Sequence, residues 1–322
     1  MGVDVYGDRR GFDTGDGPQG GGVTHSNGDR DLKVVWTRGK GCAELAEALG
    51  GRPAERVQGD VAEGCIEERA DLLVSKKLPS GFDLVNVAVP IQFEPENVKK
   101  IVATIAGGPH SSLVAQTAAS LAASLGVGAE MVSAAGSDEG LAAAADVLEQ
   151  VGASYPSLKR RVVRVNEISD LVDDLEEGTL VVMGAPGGSW LSRSRTGPGA
   201  RLRRIAQTGT VIVRTAPDRV FRFMGEPVYV APLRHADDTL RIHTERTLAV
   251  ADEGRLVGLV RREGLLKAGA DPVASVMEEA LSVRVHETLV QARELEPTFG
   301  SDPIPVTDDE EHLVGGLSLP TA

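Results

Sequence analysis

The sequence predicts an α/β protein, a parallel sheet flanked by helices, followed by a smaller α+β repeat. Three observations lead there. Between residues 98 and 217, short apolar runs alternate with helix-length stretches of 3.6-residue periodicity. A glycine junction, Gly184-Ala-Pro-Gly187 with nine residues before Gly197, separates the apolar run Leu180-Val-Val-Met183 from a basic segment. Near the C-terminus, two units share a pattern of strand, acidic turn and strand. The second strand of each holds a glycine, Gly258 and Gly315, 57 positions apart.

The elements follow in chain order. Residues 1–30 are rich in Gly and Asp with no apolar periodicity, which predicts a disordered tail. Residues 31–95 read as a small α/β unit: strand 33–36, helix 42–49 ended by Gly50-Gly51, a short strand at 56–57, helix 61–69, and strands 71–74 and 84–89. About 60 residues is short for an independent core, so this unit is expected to lean on its neighbour. Residues 96–217 form the fuller unit. Strand 101–105 leads through Gly107-Gly-Pro-His110 to a helix that Ser111 or Ser112 can cap and Gly126 stops. Strand 131–134 and helix 141–151 follow, then strand 161–165, helix 168–175, strand 180–183, the glycine loop, helix 200–207 and strand 211–214. Residues 217–227 read as a linker, and 226–322 hold the paired repeat.

Composition narrows the function. The chain has 322 residues, 41% of them hydrophobic and only 3% aromatic, so its cores are built from Val, Leu, Ile and Ala. A net charge of −13 opposes general nucleic-acid binding, which needs cations over phosphates. No apolar run reaches the length of a membrane span and the first residues lack a signal-peptide pattern, so a cytoplasmic location is expected. Cys42 and Cys65 lack the spacing of a metal site or disulfide framework, and the six histidines show no ligand pairing; no metal is expected. No nucleophile elbow and no P-loop lysine is present, so no catalytic residue is assigned and the protein is expected not to be an enzyme. His110 follows a strand's carboxyl end, where ligands bind in such folds, and reads either as a ligand-facing group or as an ordinary loop histidine.

Residues 98–217 resemble a universal stress protein domain, on element order and on the spacing Gly184-xx-Gly187-(nine)-Gly197. The resemblance implies a five-stranded parallel fold, binding of ATP or AMP, and a homodimer formed through the last strand. It assigns Gly184, Gly187 and Gly197 to the phosphate loop and Ala106 to the position of the family's Asp at the end of the first strand. Pro198 and Ala200 stand where the family has hydroxyls. Six arginines (193, 195, 201, 203, 204 and 214) and no acid lie between 185 and 214, so Arg193 or Arg195 can replace those hydroxyls at an anion, or the arginines form a solvated basic face. Residues 31–95 are similar to the second half of such a domain without its glycine loop, which Ser75-Lys-Lys-Leu-Pro79 replaces.

The C-terminal repeat resembles a tandem pair of cystathionine β-synthase (CBS) domains. Its second copy, Gly315-Gly-Leu-Ser318-Leu-Pro-Thr321, keeps the glycine and hydroxyl of the family's adenosine pattern; the first, Gly258-Leu-Val-Arg261-Arg-Glu-Gly264, has Arg for the hydroxyl. Together the resemblances imply a regulatory adenine-nucleotide sensor acting on an unknown protein. The alternative is an interaction and dimerisation module that works without nucleotide.

Overall fold

The computed structural model describes residues 32–50, 54–77, 81–165, 175–185 and 209–319. The tail expected at 1–30, the helix at 200–207 and nearly all of that at 168–175 lie outside the described residues.

Elsewhere the elements form where the apolar pattern puts them. The first stretch gives strands β1 (Val34–Trp36), β2 (Glu55–Arg56), β3 (Leu72–Val74) and β4 (Asn86–Ile91), with helices α1 (Cys42–Gly50) and α2 (Val61–Glu67). The second gives β5 (Lys100–Thr104), β6 (Gly128–Ala135), β7 (Lys159–Arg164), β8 (Thr179–Gly184) and β9 (Thr210–Arg214), with α3 (Ser111–Leu125) and α4 (Asp138–Gly152). Asp60 caps α2 by accepting from the N–H groups of Ala62 and Glu63 at 2.8 and 3.0 Å, and Ser137 caps α4. The serine cap expected for α3 does not form. The Ser111 N–H donates to Gly108 O at 3.1 Å, which draws Ser111 into the helix and leaves His110 at the cap position.

All nine strands join one sheet, in the order β2-β1-β3-β4-β9-β8-β5-β6-β7. Five of them, β9-β8-β5-β6-β7, run parallel as expected, but the sheet does not stop there. β4 pairs antiparallel with β9, from Val87 opposite Arg214 to Ile91 opposite Thr210, and β3, β1 and β2 continue in parallel beyond it. This seam relates two halves by an approximate two-fold: β1, β3 and β4 correspond to β5, β8 and β9, and α1 corresponds to α3. It also corrects one expectation. The edge of β9 that a dimer through the last strand would use is occupied by β4 of the same chain.

The period-2 alternation of the strands builds two different faces. Val34, Leu72, Val74, Ala88, Ile101, Ala103, Leu180, Val182, Val211 and Val213 point to one continuous core, closed by α1, α3 and α4. Their neighbours Val35 and Leu73 point to the other face, where α2 and the C-terminal repeat cover them.

That repeat forms two three-stranded sheets of the same topology. β10 (Tyr229–Val230) runs parallel to β11 (Thr247–Asp252), which pairs antiparallel with β12 (Arg255–Arg261). β13 (Val283–Arg284) runs parallel to β14 (Ile304–Thr307), which pairs antiparallel with β15 (Leu313–Leu317). Helices α5 (Ala236–Ile242) and α6 (Arg262–Ala268) belong to the first copy, and α7 (Leu289–Ala292) and α8 (Glu296–Phe299) to the second.

The stretch read as a linker is instead a packed joint. Phe221, one of only six phenylalanines in the chain, is wholly buried beside Val220. Burying such a side chain is worth about 1.5–3 kcal/mol, enough to hold a short 3₁₀ turn in place. Arg222 pairs with the buried Asp71 at 3.0 Å, and Arg69 Nη1 donates to Met224 O at 2.9 Å.

Candidate functional site

From β5 the chain runs outward to β6 and β7 on one side; β8 and β9 lie on the other. The order therefore reverses between β5 and β8, and ligands in open parallel sheets bind in the crevice past the carboxyl ends at such a point. β5 and β8 pair in register as far as Thr104 opposite Met183. Past that level lie Ala106 and Gly107 on one strand and Gly184 on the other, so two of the residues expected at the nucleotide are brought together. Ala106 is exposed there and offers no polar atom beyond its backbone. Gly187, Gly197, Arg193 and Arg195 lie outside the described residues.

The sequence left His110 with two readings, and the geometry gives it a definite place. Its side chain lies across Gly184, so that a Cβ at 184 would be 3.0 Å from His110 Cβ. The N–H of Thr215, just past β9, donates to His110 Nδ1 at 3.1 Å. Burial, with the nearby positive Arg214, pushes the His110 pKa below its ordinary value. The ring is thus neutral at pH 7, its proton sits on Nε2, and that N–H has no partner among the described residues. With Nδ1 already occupied by a backbone N–H, the ring is set up to donate a hydrogen bond and not to accept a substrate proton.

This has a pH signature. A histidine whose folded pKa is lowered binds its proton more readily in the unfolded chain, so its contribution is full above the unfolded pKa of about 6.5 and lost as pH falls below it. Denaturant unfolding at pH 7 and pH 5 is expected to show a larger loss of stability for the native chain than for His110→Gln.

The second set of expected residues, Gly315 and Ser318, lies on a different sheet. Gly315 faces the joint: a Cβ there would be 2.9 Å from Met224 Sδ and 3.0 Å from Gly225 O. Gly258 has the corresponding role, with Met277 Cγ at 2.4 Å and Glu278 O at 2.7 Å from a Cβ. Each glycine makes room for a methionine that leads into a copy. The backbone completes the exchange, since Gly225 pairs with Gly316 and Glu278 with Leu259, each through two N–H···O bonds. The recurrence of Met224-Gly-Glu226 as Met277-Glu-Glu279 is the sequence signal for this packing. Ser318 is exposed just past β15. Its counterpart Arg261 is committed to an ion pair with Glu278 at 3.0 Å.

Both thiols are buried. Burial, then Asp60, pushes Cys65 up to about 12, and burial, then Glu44, raises Cys42, so neither is a nucleophile at neutral pH. Among the described residues no group of three His, Cys, Asp or Glu side chains could hold a metal, and no helix is long and apolar enough to cross a membrane.

No family model matches the chain, and no curated protein matches it. Solved structures do match. A CBS domain pair/ACT domain protein of Thermotoga maritima is 23% identical over 31% of this chain and 89% of its own, with a TM-score of 0.29. The CBS-pair protein CBSX2 of Arabidopsis thaliana is 26% identical over 32% and 89%, with a TM-score of 0.30. A structure of CBSX2 in complex with AMP is 27% identical over 31% and 90%, with a TM-score of 0.28. These three are CBS-domain proteins by description, each matched over 31–32% of this chain.

Proposed function

We propose that this chain is a non-catalytic regulatory protein that binds an adenine nucleotide, ATP or AMP, and passes the bound state between its universal-stress-protein-like sheet and its CBS-like pair to an effector protein. The observation that carries the reading is the joint. The segment that packs on Gly315 with Met224 also anchors the sheet through Phe221 and the Arg222–Asp71 pair. A ligand that favours one packing of the repeat over another would be felt at β3, by no more than its differential affinity for the two states. The unused Nε2–H of His110, above Gly184, supports binding at the β5–β8 crevice, and the absence of a free acceptor on that ring supports a role without catalysis.

The test is calorimetric titration of the nucleotide-stripped protein with ATP, ADP, AMP and S-adenosylmethionine. Point variants serve better than truncation, because removing residues beyond 217 would strip Phe221 and Met224 from a shared core. Gly184→Val should displace His110 and weaken crevice binding by about tenfold or more, the cost of one lost charge-neutral contact plus overpacking. Binding retained in that variant but weakened in Ser318→Ala would place the nucleotide in the repeat.

A second reading, an interaction module without nucleotide, is favoured by Leu233, Ile242 and Leu266, which are exposed at and beside α5 and α6. No heat with any ligand, together with a dimer in sedimentation, would establish that reading instead.

A further inference from the structure

The approximate two-fold places a second reversal of strand order in the first half of the sheet, between β1 and β3. β1 leads into α1, which packs on the shared core of one face. β3 leads through Phe82, Leu84 and Val85, which pack on the opposite face. The two connections part past Trp36 and Val74, which are opposite each other in register, and such a strand-end position is where ligands bind in open parallel sheets.

The side chains at that position are of one chemical kind. Thr37 and Ser75 continue the two strands. The Thr37 N–H donates to Val74 O at 2.9 Å, and Thr37 Oγ1 donates to Ser75 Oγ at 3.2 Å. Ser75 is buried, and its own hydroxyl hydrogen has no acceptor among the described residues. Arg38 and Lys40 follow the first hydroxyl, and Lys76 and Lys77 follow the second; all four are exposed. The two loops touch, since a Cβ on Gly39 would fall 2.9 Å from Lys76 Cβ. An acid, Glu44, stands in the first turn of α1, where both it and Lys76 act on the Cys42 thiol.

None of these four cations takes part in an ion pair among the described residues. Several other cations do find acids: Arg160 with Glu149, Arg161 and Lys100 with Glu130, Arg219 with Asp83, Arg222 with Asp71. The chain holds 47 acids against 34 Lys and Arg, so a spare carboxylate is easily found. Four unpaired cations gathered at a strand end repel one another, and a bound anion relieves that repulsion. Forked Arg and Lys ammonium groups only donate, and the Ser75 hydroxyl, which accepts from Thr37, keeps its own hydrogen to donate, as a phosphate group needs.

We propose that Arg38, Lys40, Ser75, Lys76 and Lys77 form a second site, distinct from the β5–β8 crevice, which binds the phosphate groups of a small polyphosphorylated ligand. The inference does not rest on the nucleotide reading above.

The probe is sodium pyrophosphate, titrated calorimetrically into the full chain and into Arg38→Gln and Lys76→Gln/Lys77→Gln. The native chain is expected to bind it, and each variant to lose about tenfold or more in affinity, as removal of a charge-assisted contact implies. The variants should unfold at the native temperature, because the side chains are exposed. Lys76→Arg should retain binding. Gly184→Val, which disturbs only the other crevice, should bind pyrophosphate as the native chain does. ATP displacing pyrophosphate with higher affinity would show that the phosphate arrives on a nucleoside; equal or lower affinity would show that the phosphate alone is read. The proposal is overturned if pyrophosphate does not bind, if Lys76→Gln/Lys77→Gln leaves its affinity unchanged, or if an oligonucleotide binds and pyrophosphate does not. ATP binding lost in Gly184→Val, with no pyrophosphate binding in any protein, would sink this site and leave the sensor reading intact.

Discussion

Replacing Gly209 with alanine is expected to destabilise the protein by about 3–5 kcal/mol, the sum of a strained backbone and an overpacked contact. Gly209 sits at φ +108°, a conformation that an L side chain rarely adopts. A Cβ there would stand 2.4 Å from Gln92 O and 2.8 Å from Ile91 O. Both obstacles are backbone, so no rotamer change removes them. They lie where β9 begins its antiparallel run with β4, at the pair Ile91–Thr210. The damage therefore falls on the one seam that unites the two halves of the sheet. Urea unfolding monitored by far-UV circular dichroism would measure the loss. A change below about 1 kcal/mol, the scale of an ordinary helix-interior glycine effect, would mean that the seam is not held as described.

Arg222→Leu is the second large effect, expected to cost about 3–5 kcal/mol, as when one partner of a buried ion pair is removed. Arg222 Nε meets Asp71 Oδ1 at 3.0 Å, with side chains only 10% and 4% exposed. Asp71 also accepts from the Lys33 N–H, but one backbone bond does not replace a guanidinium. The charge left behind would sit between the sheet and the repeat. Loss of Arg222 should therefore loosen the joint before it unfolds the sheet. Hydrogen exchange would show this as faster exchange in 219–225 and in β15, with β5 and β8 still protected. The double change Arg222→Leu/Asp71→Leu is expected to recover much of the stability, because no unpaired charge then remains. It would also separate the cost of the charge from the packing of Phe221.

Much of the sheet was legible because strands buried on both faces write themselves into sequence as short continuous apolar runs. Leu72-Leu-Val74, Ile101–Ala103, Leu180–Val182 and Val211–Val213 are apolar on both faces, which is the mark of strands covered from both sides. The paired glycines 258 and 315 likewise marked the repeat. That Met224 and Met277 pack on these glycines was not legible, because a methionine five or six residues before a strand has no periodicity of its own.

Three things were beyond the reach of local pattern. The pairing of β4 with β9 joins residues more than a hundred positions apart, and an apolar strand edge does not state its partner. The stretch 217–227, bounded by Pro217 and Pro227, reads as a linker; only the packing of Phe221 and the carboxylate of Asp71 make it a joint. Ser75-Lys76-Lys77 looked like a missing glycine loop, and becomes a cluster of positive charge only when Arg38 and Lys40 arrive beside it.

The amino-acid sequence by itself determined the element order, the parallel α/β class and the internal repeat, because propensity and periodic burial act between near neighbours. Only the tertiary structure decided that the two α/β stretches share one sheet, that the last strand's edge is taken, and which polar groups meet at each strand-end crevice. Those outcomes depend on contacts distant in sequence, whose free energy belongs to the folded arrangement and not to any segment of it.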